Sequence, residues 1–524
     1  MSPLSPFEEV ELRRPENVVL FSTTVSVTPG WSCATTTIGQ SHSTIDPSDI
    51  DLERRLSRRT TSAPSDLNDW NPATKEELKC IEDNFPLPTK LGSGTSRKLR
   101  WNFFSLYRKL FTLVFLINLA ALITFVTQLR KHDNIATYAN AATAASANFC
   151  LGIMMRNEHV VNLLFRTACS LPISSPLWLR RQAAKVYSYG GVHSGCGVSG
   201  AIWYVVFCAL IITQYASSRL AETALAITTG LTMTLLVLIL VFAHPYMRMR
   251  LHDSFEATHR FGGWCAIVCL WTQTIVLVSS TALDEKRSFG STLIMSPPFW
   301  FLVIITCLLV YPWTRLRHRK VRIEHLSKHA TRLHFDYTNM ETCVGVRLTD
   351  APLVETHGFA TIPNYQGELG FSILISNAGD WTNKIITNPP ERIWVKGAPT
   401  LGVMRVALLF RKVLVIATGS GIGPCLSLLQ VYPDYPMRVV WSAKAPLATY
   451  GNNIIKSVYR ADPNAIIVDT DKTGRGNLLA LAYSMLAESD CEAAVVISNP
   501  TVTKRVVYGL ETRGIPAFGA IFDS

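Results

Sequence analysis

Between Phe104 and Thr314 the chain carries six apolar segments, at 104–127, 136–155, 197–216, 223–244, 261–281 and 298–314. Each is near the ~20 residues an α-helix needs to cross a bilayer. No other feature restricts the fold so tightly. In hydrocarbon, every backbone N–H and C=O must be paired within the protein, and unbroken apolar runs of this length meet that demand as helices. The segment at 136–155 is rich in Ala, and a buried or interfacial helix is its alternative reading. Basic residues set the orientation. Arg97, Lys98, Arg100, Arg108 and Lys109 flank the first segment. Arg156, Arg166, Arg180, Arg181 and Lys185 follow the second, Arg248, Arg250 and Arg260 the fourth, and Arg315, Arg317, Arg319, Lys320 and Arg322 the sixth. The opposite side has Arg130, Lys131, Arg219, Lys286 and Arg287. The expectation is an integral protein of the plasma membrane or an endomembrane, with both termini cytosolic.

Composition agrees. Hydrophobic residues make up 48% of the chain and the mean hydropathy is +0.21. The formal net charge of +12 sits largely in loops beside apolar segments, so it points to a lipid bilayer and away from nucleic acid. The 12 Cys show neither a CxxC pair nor zinc spacing. Cys208, Cys265, Cys269 and Cys307 lie in apolar segments, where a thiol behaves as a small hydrophobe. Residues 1–95 are rich in Ser, Thr and Pro, with no signal-peptide apolar region at the start. They read as a disordered cytosolic tail. Within them Arg54-Arg55 and Arg58-Arg59, beside Ser and Thr, are either a kinase target or a solvated linker.

From residue 323 the pattern changes. Alternating runs at Thr331–Tyr337, Gly345–Leu348, Gly370–Ile375 and Ile393–Val395 read as strands of a small antiparallel barrel over 323–406. From 407 to 524 apolar strands alternate with helical segments, which implies a parallel sheet covered by helices. Its strands are Val413–Ala417, Met437–Ser442, Ala465–Asp469 and Ala493–Ile497. The stretch Lys412–Gln430 is the most informative. A β-branched strand runs into Gly419, Ser420, Gly421, Ile422, Gly423 and Pro424, and then into a helix. Strand, glycine turn and helix start form the geometry that accepts a pyrophosphate. Alone, the glycine cluster is equally a tight turn.

Further motifs accompany it: His357-Gly358-Phe359-Ala360-Thr361-Ile362, Gly379-Asp380-Trp381-Thr382, Ser442 with Lys444, and Ser498-Asn499-Pro500. Six spans followed by a barrel and a nucleotide sheet resemble the ferric reductase and NADPH oxidase superfamily. The soluble half resembles ferredoxin–NADP reductases. The whole, with its close in Gly514-Ile515-Pro516 and Ile521-Phe522-Asp523-Ser524, looks most like fungal TmpA-type membrane flavoproteins, which are linked to the control of asexual sporulation (conidiation). The resemblance covers roughly residues 100–524 and implies FAD and NADPH as cofactors. It sets Phe359 against the flavin, with His357 in the same motif and Thr361 at the ring edge. Gly379, Trp381 and Thr382 would hold the FAD pyrophosphate. Gly419–Pro424 and Asn499 would receive the nicotinamide nucleotide, with Ser442 and Lys444 at its 2′-phosphate. Phe522 would stack on the flavin until nicotinamide displaces it. The usual family motif is His-Pro-Phe-Thr, and here Gly358 and Ala360 replace Pro and Thr. The structural alternatives stay open: barrel core for Phe359 and Trp381, a solvated loop lysine for Lys444.

The histidines bear on haem. Two-haem relatives carry two His on the third span and two on the fifth, 13 or 14 residues apart. Here His193 and His259 open those spans, but the matching positions are Val206, Phe207, Thr272 and Gln273, none a usual haem ligand. An outer haem is therefore not expected. One b-type haem between His193 and His259 is one reading; hydrogen-bonded histidines near the headgroups is the other. The leading expectation is an FAD-dependent NAD(P)H oxidoreductase with an unidentified electron acceptor. Its rivals are a transmembrane ferric reductase or superoxide-producing oxidase, and a low-turnover signalling or scaffold protein with a nucleotide-sensing flavin domain.

Overall fold

The computed structural model describes residues 70, 72–131, 136–214, 219–364 and 368–519. Residues 1–69, with both arginine pairs, and Phe522 lie outside the described residues. The first described helix is α1, Lys75–Asn84. A helical bundle follows: α2 (Leu106–Arg130), α3 (Tyr138–Met154), α4 (Glu158–Cys169), α5 (Leu177–Ala183), α6 (Gly190–Gln214), α7 (Arg219–Ala243), α8 (Gly263–Asp284) and α9 (Pro297–Thr314). Among the described residues five helical stretches are long and apolar enough to cross a membrane: Leu106–Arg130, Val186–Thr213, Thr223–Ala243, His252–Asp284 and Pro297–Thr314. The sixth expected span differs. α3 has 17 residues, about 25 Å at 1.5 Å per residue, short of a ~30 Å hydrocarbon core. Its small side chains are used for packing. Ala141 and Ala145 are buried, and the helix is wedged between α6 and α9.

The last apolar helix feeds straight into a sheet. Only Arg315 and Leu316 separate α9 from β1 (Arg317–Lys320), so the soluble part begins six residues before the expected 323. Then come β2 (Arg322–Ser327), β3 (Ala330–Phe335), β4 (Val344–Thr349), β5 (His357–Pro363), β6 (Phe371–Ser376), α10 (Asp380–Thr387) and β7 (Arg392–Leu401). The seven strands are antiparallel in the order β1-β7-β4-β5-β6-β3-β2. They form one open, half-barrel sheet with β1 and β2 at its edges, where a small antiparallel barrel was expected. Alternation along the strands turns Leu333, Phe335, Leu348, Phe371 and Ile373 inward, and Phe335 stacks on Phe371 at 4.9 Å between ring centroids.

The remainder is a parallel sheet covered by helices. Its elements are β8 (Val413–Thr418), α11 (Ile422–Val431), β9 (Met437–Ala443), α12 (Asn452–Ala461), β10 (Ile466–Asp469), α13 (Leu478–Ser489), β11 (Ala493–Ile497), α14 (Pro500–Glu511) and β12 (Ala517–Gly519). The strand order is β10-β9-β8-β11-β12, all parallel. Val413 to Ala417 are wholly buried, as a strand covered on both faces must be. A seven-stranded antiparallel sheet joined to a five-stranded parallel one is the two-part arrangement that the strand patterns implied for residues 323–524.

Within the span 1–95, expected as a disordered tail, residues 72–95 are described and carry helical structure. Residues 72–91 form a strap on the outside of the parallel sheet. Ala73 N–H donates to the Ile467 carbonyl on edge strand β10 at 3.2 Å. Thr74 and Glu77 close a reciprocal capping box that starts α1. Leu78 and Ile81 are buried where α1 packs on α13, worth about 1.5–3 kcal/mol each. The strap then reaches α14, where Leu91 N–H donates to the Thr512 carbonyl at 2.8 Å.

Candidate functional site

In a parallel sheet the ligand crevice lies at the carboxyl ends of the strands where the chain reverses its order. Here that point is between β8 and β11, which pair directly. Thr418 ends β8, and its hydroxyl meets that of Ser498 just beyond β11. Gly419 follows at φ +52°, a left-handed conformation that side chains resist, and its carbonyl accepts from Trp441 Nε1 at 2.9 Å. Ser420 is half-buried, and Ile422 and Gly423 are buried at the start of α11. Pro424 lies in the first turn, where a missing N–H costs nothing. A Cβ on Gly423 would rest 3.4 Å from Leu374 of β6, so the glycine turn abuts the half-barrel. The two halves are also bonded there by Cys343 N–H to Ser427 Oγ, 2.7 Å.

The other nucleotide-side candidates divide. Ser442, paired in register with Thr418, is half-buried at the end of β9. Lys444 lies just past that strand with its side chain 77% exposed and Nζ 3.9 Å from Asp471. Asn499 caps α14, its Oδ1 accepting from Val502 N–H at 3.0 Å.

On the barrel side, His357 and Phe359 project from the same face of β5, and both stack on Trp381, with centroids 4.3 and 5.7 Å away. Trp381 is a core side chain of the half-barrel, and its Nε1 donates to Asp350 at 2.8 Å. The Thr361 hydroxyl is buried and donates to the Val344 carbonyl at 3.0 Å. Thr382 Oγ1 accepts from Gly379 N–H at 3.0 Å and from Ala378 N–H at 2.8 Å, which shapes the entry to α10. Gly358 and Gly379 face open space. Side chains of this group therefore build the wall, and the helix N-terminus and the glycines present backbone to a ligand.

His193 and His259 lie elsewhere, in a cleft of about 2530 Å³ beneath the bundle. Their ring centroids are 6.1 Å apart. His193 Nδ1 is 2.7 Å from the Gly152 carbonyl, so Nδ1 carries the proton and Nε2 keeps its lone pair. The far wall of the cleft is soluble: Arg347 and Lys396 from the half-barrel, and Pro500, Thr503 and Lys504 from α14. Glu158 is 1% exposed and accepts from Arg347 at 2.8 Å. Burial, with Arg260 and Arg347 nearby, pushes Lys396 down to about 8.

Sequence reasoning did not reach Thr418, Asp350 or the brace formed by α4 and α5. Thr418 follows the strand and precedes the glycines, so its position carried the signal. The brace carried none, because its partners are far apart in sequence. Asn162 of α4 bonds the β7 backbone at Pro399 and Leu401. Arg180 of α5, 2% exposed, grips Glu492 with both terminal guanidinium nitrogens, at 2.7 and 3.1 Å, which holds the Glu492 carboxyl below its ordinary range.

Residues 403–524 match the family described as adenylate-forming reductase 03009, C-terminal domain. The chain is 40% identical over 484 residues to adenylate-forming reductase 03009 of Coprinopsis cinerea, which covers 91% of this chain and 46% of that protein. It is 42% identical over 445 residues to adenylate-forming reductase 06235 of the same organism, covering 85% of this chain and 42% of that one. A ferredoxin NADP+ reductase from Neisseria gonorrhoeae with bound FAD and NADP overlaps 39% of this chain and 98% of its own, at 12% identity and a TM-score of 0.31. Phthalate dioxygenase reductase overlaps 40% of this chain and 68% of its own, at 10% identity and a TM-score of 0.31. The chain is thus similar over most of its length to less than half of two longer reductases, and over residues 403–524 to the C-terminal domain of one of them.

Proposed function

We propose that this chain is a membrane-bound oxidoreductase that uses NADPH and FAD, with its soluble half on the cytosolic side and an acceptor still to be identified. The observation that carries the reading is the crevice at Thr418–Pro424, set directly against the half-barrel through Gly423 and Leu374. The reductase names of the Coprinopsis relatives support the reaction class. The five long apolar helices and the basic residues flanking them support the membrane. A place in fungal developmental signalling is the most distant part of the proposal and rests on the TmpA-type resemblance alone.

FAD, when bound, supplies the exchange between hydride and single-electron chemistry. The chain's own residues bind and orient. The N-terminus of α10, with Gly379 and the Thr382-braced turn, is suited to the FAD pyrophosphate. Phe359 and the open backbone at Gly358 offer a surface for its ring. Gly419–Gly423 and the start of α11 are suited to the nicotinamide nucleotide's pyrophosphate. Lys444 and Ser442 are suited to a 2′-phosphate, the group that separates NADPH from NADH.

A single haem also fits the residues present. If a haem were bound, His193 and His259, whose ring centroids are 6.1 Å apart, would hold it, and it would supply one-electron chemistry there. The Gly152 carbonyl fixes the His193 tautomer as an outer-shell partner of a ligand does. The positions that would carry an outer pair hold Val206, Phe207, Thr272 and Gln273. Gln273 instead donates to Thr229 at 2.6 Å and accepts from Tyr204 at 3.3 Å. The acceptor is therefore expected to be met on the cytosolic side.

The deciding experiment is the absorption spectrum of detergent-purified chain, before and after anaerobic NADPH. We expect a flavin band that bleaches, plus about one b-type haem per chain that is lost in His193→Ala and in His259→Ala. A flavin band without a Soret band would make both histidines structural and leave the NADPH–FAD reading standing. Absence of flavin after FAD is added back would overturn the proposal.

A further inference from the structure

The cleft that contains His193 and His259 is much larger than one cofactor needs, since ligand pockets usually measure about 300–1,000 Å³. Its upper part is a fissure between two apolar helices. Leu113 and Leu116 of α2 line one side, and Leu236 and Ile239 of α7 line the other. The floor is α6 and α8, where a Cβ added at Gly197 or Gly263 would meet nothing within 4 Å. Leu113 and Leu116 are also 56% and 54% exposed, so the fissure opens sideways onto the surface that would face lipid.

The lower part is strongly cationic. Eleven Lys and Arg line the cleft against three Glu among the described residues. Each of those acids already has a cation: Glu158 has Arg347, Glu256 has Arg260, and Glu511 has Lys185. Arg108, Lys109, Arg181 and Lys504 have no carboxylate partner among the described residues. The placement of two of these runs against the local rule. Arg108 and Lys109 occupy the first turn of α2, which contains no acidic residue. Cations at a helix N-terminus are unfavourable, because the helix dipole is positive there. Basic residues are expected at the cytosolic end of a membrane helix, but the four without a carboxylate partner line one cleft, where they leave an excess of positive charge.

We propose that the cleft holds an acidic phospholipid of the cytosolic leaflet. Its phosphate-bearing head faces the cations at the start of α2 and on α14, and its acyl chain lies along the fissure between α2 and α7. Basic pockets between membrane helices on the cytosolic side take such headgroups. The lipid would tie α2 to the nucleotide-binding sheet through Lys504, so it would join the two halves of the protein where protein–protein packing is thin.

The test uses the full chain, purified in mild detergent and reconstituted in nanodiscs of phosphatidylcholine with or without phosphatidylserine. Retained lipid is read by native mass spectrometry and headgroup analysis, and haem by its Soret band in the same samples. We expect selective retention of phosphatidylserine, weakened about fivefold for each cation removed in Arg108→Gln, Lys109→Gln and Lys504→Gln. Arg130→Gln with Lys131→Gln, at the other end of α2, should change nothing. Each variant's thermal midpoint separates lost binding from lost folding, and Lys504→Gln, exposed on α14, leaves the bundle untouched. Equal retention of phosphatidylcholine, or unchanged retention in the triple variant, would overturn the proposal. So would loss of the Soret band with phosphatidylserine retention intact, since the cations would then serve a porphyrin's carboxylates. The proposal rests on the membrane reading, which fails separately if the wild-type chain stays soluble without detergent.

Discussion

A Cβ at Gly421 would lie 2.2 Å from the Ile497 carbonyl oxygen, whereas one at Gly419 would find Tyr450 at a comfortable 3.7 Å. The two glycines therefore fail differently when replaced. Gly421→Ala forces α11 away from β11, an overpacking cost of about 1–3 kcal/mol or more. Gly419→Ala costs about 1–2 kcal/mol from its left-handed backbone and leaves the sheet packed. Thermal unfolding should rank Gly421→Ala below Gly419→Ala, and equal midpoints would remove the close-approach argument. Lys444 is a different residue-scale case. Its side chain is 77% exposed with one distant acidic neighbour, Asp471, so it contributes little to stability. Lys444→Ala should leave the thermal midpoint unchanged and raise KM for NADPH about fivefold, worth ~1 kcal/mol for one exposed charge-assisted contact. KM for NADH should stay the same. An equal rise for both nucleotides would place Lys444 outside the 2′-phosphate site.

At the scale of elements, the connection between α3 and α6 does more than orient the bundle. Read as sequence, Arg166, Arg180 and Lys185 are basic residues on the cytosolic side. In the fold each has an acidic partner in the soluble half: Glu341, Glu492 and Glu511. The Arg180–Glu492 pair is joined by two hydrogen bonds, and its Arg180 side chain is 3% exposed. Arg180 also donates to the Leu409 and Ser175 carbonyls, both at 2.9 Å. Arg180→Ala leaves Glu492 to the Arg411 N–H at 2.8 Å and strands those carbonyls, and should cost up to about 3–5 kcal/mol. Arg180→Lys keeps the charge, loses the fork, and should recover part of it. Glu492 also gives a pH dependence. Its pKa is depressed in the fold, chiefly by the Arg180 hydrogen bond. Its stabilisation is therefore complete above the unfolded value of about 4.3 and is lost as pH falls through the lower folded value. Acid unfolding of the wild type should be steeper below about pH 4.3 than that of Glu492→Gln, and parallel curves would contradict the assignment. The strap of residues 72–91 is a second such element. Leu78→Ala with Ile81→Ala removes its buried face, at about 2–5 kcal/mol for each truncation. It should expose α13 and the β10 edge to hydrogen exchange while exchange in the half-barrel core is unchanged.

For the molecule as a whole, three kinds of structure are joined by few covalent links. α9 runs into β1 through Arg315 and Leu316, so the half-barrel is attached directly to the bundle. The parallel sheet is held to the bundle through α5 and through the strap that leads into α2. The large cleft is lined by both histidines and by residues of the bundle, the half-barrel and α14. The spectroscopic test of flavin and haem belongs at this scale, because the proposed flavin surface lies in the half-barrel and the two histidines lie in the bundle.

Local pattern was enough for the elements that are determined locally. Apolar length marked five long helices, and alternation marked β3, β4, β6 and β7. The run Val413–Ala417 with its three glycines marked the turn at the mouth of the sheet. The capping box Thr74–Glu77, followed by Leu78 and Ile81, is legible in the sequence too, although it lies inside a polar segment. Other decisions needed the fold, because they depend on neighbours distant in sequence. Trp381 became a wall of the half-barrel because His357 and Phe359 came to lie beside it. α3 became a packing wedge because α6 and α9 closed on its alanines. His193 and His259, 66 residues apart in the chain, acquired a shared geometry only when α6 met the start of α8. The sequence determined which segments are helix, strand and glycine turn, since those rest on residues within a few positions of one another. Tertiary structure decided which side chains share a site, because hydrogen bonding, burial and charge pairing act across space and not along the chain.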